Sequence, residues 1–141
     1  MVELGPFDGI LGFSQGGLLS AALPGMQKKG VALTKVPKIK FVIIISGAKF
    51  GGIKFPSPEL AKDAFSSPID IPSLHIIGEK EPDKESHFEL LESYVNPTLL
   101  YHHEGHIVPH LDESGVKIVL GFLDRIQRLI KENARTLMVF T

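Results

Sequence analysis

Apolar residues along this chain come in short blocks whose internal spacing changes from block to block. Ile10 to Phe13 is a brief apolar run behind an Asp8-Gly9 turn signal and predicts a strand. From Gln15 to about Lys29, Leu18, Leu19, Ala22 and Met26 recur at helical spacing. Pro24 interrupts that pattern: its ring lacks an N–H and crowds the preceding turn, so a kink or end is expected near Leu23. Phe41 to Ile45 is continuously β-branched and aromatic, as suits a strand covered on both faces of a parallel sheet. Ser73 to Ile77, stopped by Gly78, and Thr98 to His102 predict two more strands. Lys84 to Tyr94 reads as a short amphipathic helix with Phe88, Leu91 and Tyr94 towards one face. Val116 to Ile130 reads as a longer one, with Val116, Val119, Leu120, Leu129 and Ile130 among its apolar positions.

Periodicity lapses between Gly47 and Pro72, where Gly51-Gly52, Pro56, Pro58, Pro68 and Pro72 leave room for a short helix over Leu60 to Phe65. A segment of this length without regular structure either lines a functional surface or fills space. Leu137 to Phe140 is apolar without an evident partner. Strands alternating with helices imply βαβ units, hence an α/β class with a mainly parallel sheet. The whole chain, 1–141, is expected to form a single domain.

Composition narrows the function classes. A formal net charge of −1 gives no basic field for nucleic acid. The lysines at 28, 29, 35, 38 and 40 read as a solvated helix end and loop. There is no cysteine, so disulfides, thiolate metal sites and cysteine nucleophiles are excluded from these residues. The start, MVELGPFDGI, has neither the basic region nor the apolar run of a signal peptide. No apolar run approaches the roughly 20 residues of a membrane span. A soluble, cytoplasmic protein is the default expectation.

The candidate chemistry begins at Gly12-Phe13-Ser14-Gln15-Gly16-Gly17, where a predicted strand gives way to a predicted helix. Gly-x-Ser-x-Gly at such a junction is the pattern of a nucleophile elbow: the chain turns sharply so that the serine stands clear of the sheet. Gly12 and Gly16 are expected to approach each other across that turn, where side chains would collide. The N–H of Gln15, at the helix start, would face an oxyanion. A serine needs a base, and of six histidines His106 stands out, in a Gly105-His106-Ile107-Val108-Pro109 loop beyond the last predicted strand. His75 is expected in the core, His87 exposed on its helix, and His102 and His103 on opposite faces of a strand end. His102, His106 and His110 stand four apart, a spacing that converges on a metal only within a helix; Gly105 and Pro109 argue against one, so no metal is expected there. No cofactor is implied. Glu79, Glu81 and Asp83 lie between serine and histidine, in the chain order Ser, acid, His.

Four segments together resemble the eukaryotic family of serine hydrolases, small α/β-hydrolases. They are Gly-Phe-Ser-Gln-Gly-Gly at 12–17, Ile-Ser-Gly-Ala-Lys-Phe-Gly-Gly at 45–52, Pro-Ser-Leu-His-Ile-Ile-Gly-Glu at 72–79 and Gly-His-Ile-Val-Pro at 105–109. The resemblance runs from about Asp8 to Gln127; the elbow would also suit acyl-protein thioesterases, but the second and fourth segments fit those less well. It implies Ser14 as nucleophile and His106 as base. The family's acid, usually aspartate, falls three residues after the strand-ending glycine, which here is Glu81; Asp83 has the usual side chain two residues later, and the choice stays open. Family members also carry several strands before the elbow and a His-Gly loop that supplies a second oxyanion N–H. Only about seven residues precede the elbow strand here. The expectation is therefore a partial α/β-hydrolase fold of about four strands flanked by helices, with front strands missing and the elbow strand at an exposed edge. Such an edge invites pairing with a second copy. The expected function is cleavage of a small ester or thioester through an acyl-enzyme on Ser14; the alternative is a truncated, weakly active or inactive remnant acting as a binding protein.

Overall fold

The structure, a computed structural model, describes the backbone of residues 1–140 and the side chains of residues 1–133. It comprises two compact units, Met1–Pro109 and His110–Thr141. In the first, strands β1 (Gly9–Phe13), β2 (Phe41–Ile45), β3 (Ser73–Gly78) and β4 (Thr98–His102) form one sheet in the order β1-β2-β3-β4, every neighbouring pair parallel. Ile10 lies opposite Val42, Ile44 opposite His75, and Ile77 opposite Tyr101. The expected mainly parallel sheet of about four strands is the one observed, and β1 is an edge strand with Leu11 62% exposed.

Parallel strands laid down in sequential order with right-handed crossovers place their connections on one face. Helix α1 (Gln15–Lys28) and helix α2 (Lys84–Glu92) share that face. Tyr94, just past α2, donates its hydroxyl to the Ala21 carbonyl of α1 at 2.6 Å. Ala21, Ile39, Val42, Ile44, Leu90 and Tyr94 form the buried cluster between them, and each large apolar side chain so buried is worth about 1.5–3 kcal/mol. Val42, Ile43, Ile44 and Ile45 are all buried, which is why β2 reads as an unbroken apolar run. Ahead of β2, the Gln27 side chain clamps its loop: the amide donates to the carbonyls of Leu33 and Pro37, and its oxygen accepts the Ile39 N–H.

Three local expectations are corrected. Helix α1 does not end at Leu23 but continues through Pro24 to Lys28. An interior proline costs about 3 kcal/mol; here Ala22, Pro24, Gly25 and Met26 are all buried, and Gly25 packs directly on the backbone of Ala64. Tertiary packing on both sides of the proline outweighs the local cost. Helix α2 stops at Glu92, and its buried face carries Ser86, His87 and Leu90 while Phe88 is exposed. Periodicity of apolar residues misplaced that face because two of its buried positions are polar and have polar neighbours. The Leu60–Phe65 helix is only a 3-10 turn at Glu59–Ala61. The middle of the irregular stretch serves as packing, with Ala61 and Ala64 against Ala22 and Met26.

The second unit consists chiefly of helix α3 (Glu113–Phe140), which contains the helix expected over 116–130. Within it the Arg125 guanidinium sits 5.5 Å over the Phe122 ring. The apolar Leu137 to Phe140 side chains lie outside the described residues. Among the described residues no helix is long and apolar enough to cross a membrane.

Candidate active site

Ser14 stands between β1 and α1 with φ 57° and ψ −116°, a conformation that a side-chain-bearing residue adopts only under constraint. The constraint is visible on both sides. The Ser14 N–H donates to Ile45 O at 3.0 Å, continuing the β1–β2 pairing, while Leu18 N–H donates to Ser14 O at 3.0 Å, opening the helix. Gly12 is required by its surroundings, since a Cβ there would strike the Gly16 backbone and the Ser20 hydroxyl. The converse does not hold: nothing lies within 4 Å of a Cβ at Gly16. The crowding across the turn is one-sided because Gly16 turns its own Cβ direction to solvent.

The loops after β3 and β4 are stapled together, and this brings Glu81 to His106. Glu79 N–H donates to His102 O at 2.7 Å, and Lys80 N–H donates to Glu104 O at 3.1 Å. Gly78 makes room for the approach, since a Cβ there would run into the carbonyls of Glu104 and Gly105. The result is a continuous chain of hydrogen bonds. Ser14 Oγ lies 2.8 Å from His106 Nε2, and His106 Nδ1 lies 2.9 Å from Glu81 Oε2. The other carboxylate oxygen of Glu81 accepts a short hydrogen bond from the Ser46 hydroxyl. The His106 ring also rests against Phe13, centroids 5.4 Å apart.

Glu81 is buried, and burial pushes its carboxyl upward; the hydrogen bonds from Ser46 and His106, with the fields of His87 and His106, outweigh that and hold it below the ordinary carboxylate value. Asp83 is not part of this chain. Its carboxylate pairs with the Lys54 ammonium, and its carbonyl accepts the Ser86 N–H and hydroxyl at the start of α2. Glu79 likewise turns outward, 3.1 Å from His103 Nδ1. Gln15 is the first residue of α1, with its side chain exposed.

The other histidines divide as follows. His75 is in the core as expected, 3.0 Å from Ser73 Oγ and edge-on to Tyr94; burial lowers its pKa from 6.5 to about 4. His102 is buried and His103 exposed. The expectation of an exposed His87 is overturned: the residue is 5% exposed. Its Nδ1 donates to Gly47 O at 2.6 Å, and its Nε2 lies 3.3 Å from Glu81 Oε2 without forming a hydrogen bond. Ser46 and His87 are the two residues that sequence reasoning missed. Ser46 carried a usable signal, since it follows a strand's C-terminal end, where open parallel sheets collect their sites. His87 carried none.

An open cleft of about 640 Å³ runs beside Glu81, lined by Ile53, Lys54, Pro82, Asp83, Lys84 and Ser86 among others. An apolar cavity of about 570 Å³, between Pro24, Gln27, Leu33, Ile39, Ile69 and Ile71, includes none of Ser14, Glu81 or His106.

The family described as serine hydrolase (FSH1) matches residues 1–118. The chain belongs to this serine hydrolase family. Among curated relatives, "Esterase OVCA2" of Xenopus tropicalis is 39% identical over 125 residues, covering 87% of this chain and 50% of its own length. The human "Esterase OVCA2" is 35% identical over 110 residues, covering 76% of this chain and 45% of its own. "Esterase C25G4.2" of Caenorhabditis elegans is 31% identical over 136 residues, covering 93% and 58%. The chain thus spans about half the length of the curated relatives it matches. Within the family's region lie all the residues of the Ser14–His106–Glu81 chain.

Proposed function

We propose that this chain is a serine esterase acting on a small ester or thioester, with Ser14 as nucleophile, His106 as general base and Glu81 as the acid. Ser14 Oγ attacks the carbonyl carbon while its proton passes to His106 Nε2. The carbonyl oxygen, now an oxyanion, is met by the Gln15 N–H at the start of α1, where the helix dipole favours negative charge. Glu81 accepts the Nδ1–H, which fixes the tautomer with its lone pair at Nε2 and stabilises the imidazolium once formed. Collapse of the tetrahedral intermediate expels the alcohol or thiol, which takes the proton from His106. Water then repeats the sequence on the acyl-enzyme and releases the acid. The observation that carries this reading is the unbroken relay, 2.8 Å from Ser14 to His106 and 2.9 Å from His106 to Glu81.

The test is covalent labelling with a fluorophosphonate, read by mass spectrometry, beside turnover of p-nitrophenyl esters of increasing acyl length. The wild-type chain should be labelled on Ser14 and turn over short esters. Ser14→Ala should abolish labelling and lower kcat by at least about 10⁴-fold. Absence of labelling in folded protein would remove the proposal. The edge position of β1, with Leu11 exposed, favours a second reading, in which the chain associates through that edge as a binding protein. A sedimentation profile of a single monomeric species across micromolar concentrations would count against it.

A further inference from the structure

We propose that Glu81, His87 and His106 form a binding site for a divalent transition metal, with zinc as the reference ion, and that its occupancy switches the hydrolase off. The inhibitory part rests on the esterase reading above; the binding part does not.

His87 is a buried corner of the site. Its Nδ1 donates to the Gly47 carbonyl at 2.6 Å, so in the neutral ring the lone pair is at Nε2. Metal-binding histidines are held in this way, one nitrogen donating to a backbone carbonyl and the other left free. Here the free nitrogen is buried and makes no hydrogen bond. It points at Glu81 Oε2, 3.3 Å away, and that same oxygen lies 2.9 Å from His106 Nδ1. One donor atom from each of the three residues falls within 4.8 Å of the other two. Zinc bonds of about 2.0–2.2 Å in a tetrahedron separate neighbouring ligand atoms by roughly 3.3–3.5 Å. The site is therefore within a few tenths of an ångström of that spacing along two of its edges. Two imidazoles and one carboxylate are also a donor set that suits zinc, with a fourth position left for water. The spacing of His102, His106 and His110 along the chain gave no hint of it, because two of the three ligands come from the segment after β3.

Occupancy would act on the relay directly. A metal on His106 Nδ1 takes the lone pair there, so the single proton of the neutral ring, which Glu81 otherwise accepts at Nδ1, passes through solvent to Nε2 with no net release. With that one proton on Nε2, no lone pair faces Ser14 Oγ and the serine loses its base. Glu81 gives Oε2 to the metal and keeps its hydrogen bond from Ser46 on Oε1. Removal of the metal restores the original tautomer, so the effect is reversible.

Binding is measured first on the inert Ser14→Ala chain by equilibrium dialysis with ZnCl₂, and with Co²⁺, whose tetrahedral complexes absorb strongly in the visible. One ion per chain is expected, and His87→Ala should weaken binding at least tenfold. On the active chain, zinc should suppress ester turnover and a chelator should restore it. His87→Ala should shift the half-inhibiting concentration at least tenfold relative to its own metal-free rate. If circular dichroism shows that His87→Ala does not fold, His87→Gln, which keeps a donor for Gly47, replaces it. No stoichiometric binding to Ser14→Ala, or binding that the His87 variants leave unchanged, overturns the proposal. Zinc binding without Ser14-dependent turnover would remove the esterase reading and leave the site standing; turnover without zinc binding would do the reverse.

Discussion

Ser14 and Ser46 occupy equivalent places and do different things. Each follows the C-terminal end of a strand, each has a positive φ (57° and 50°), and each donates its N–H to the neighbouring strand, Ser14 to Ile45 O and Ser46 to Ile76 O, both at 3.0 Å. They part at the next step. Ser14 opens a helix and is half-buried, so its hydroxyl meets the outer nitrogen of His106. Ser46 leads into an irregular loop and is 2% exposed, so its hydroxyl is spent on the inner oxygen of Glu81. Strained backbone at a strand end therefore aims a hydroxyl, but the surroundings decide whether that hydroxyl can react or can only hold something in place. On the proposed reading one serine has the exposure and the neighbouring imidazole that a nucleophile needs, and the other has the burial that makes a hydrogen bond to a carboxylate strong.

The sharpest way to break the comparison is at the carboxylate that stands behind both serines. Glu81→Gln should lower kcat by about 10³–10⁴-fold, because an amide in place of the carboxylate no longer fixes the His106 tautomer or stabilises its charged form. Asp83→Asn should stay within about threefold of wild type, since that side chain pairs with Lys54 instead. Similar losses in the two variants, measured as kcat on one p-nitrophenyl ester, would undo the assignment of Glu81.

A smaller effect is expected from Ser46→Ala. Loss of the hydroxyl leaves Glu81 Oε1 buried without its donor, at a cost of about 1–3 kcal/mol in stability, with turnover down by about tenfold. The pH dependence gives the direction. Glu81 is held below its ordinary value in the folded chain, so its contribution to stability is present above the unfolded carboxylate pKa and lost as pH falls through the lower folded one. Ser46→Ala removes one of the groups holding that value down, so the loss should move to higher pH. Urea midpoints from pH 3 to 7 would register the shift, and an unchanged acid limb would speak against the role given to Ser46.

The smallest effect on turnover at neutral pH should come from His75→Gln, which tests the sheet beneath the two serines. His75 has a folded pKa of about 4 against 6.5. A depressed value means that the unfolded chain binds the proton first, so stability is full above pH 6.5 and falls as pH drops towards 4, by about 3 kcal/mol. Replacement by glutamine should flatten that interval of the stability profile and leave the rate at pH 8 nearly unchanged. A wild-type profile already flat between pH 6.5 and 4 would contradict the burial argument.

Much of this molecule is written in short-range pattern. Four apolar runs fall on four strands, the run Phe41–Ile45 because burial of β2 on both faces leaves no polar alternation to blur it. Gly12-Phe13-Ser14-Gln15-Gly16 marks the turn at Ser14 because one close backbone approach demands glycine at position 12. The proline at 24 misled for a reason that sequence spacing does not carry: the cost of the lost hydrogen bond is local, while the packing of Gly25 on Ala64 that offsets it comes from forty residues away. His87 misled in the same way, its burial fixed by the Gly47 carbonyl.

The sequence by itself determined the strand–helix alternation, the strained serine and the two candidate acids, since each follows from residue types within a few positions of one another. Only the tertiary structure chose between Glu81 and Asp83 as the neighbour of His106, buried His87 beside them and turned Ser46 inward. Those outcomes depend on which loop carbonyls and amides meet when parallel strands stack in register, and hydrogen-bond geometry between segments tens of residues apart leaves no periodic trace in the chain.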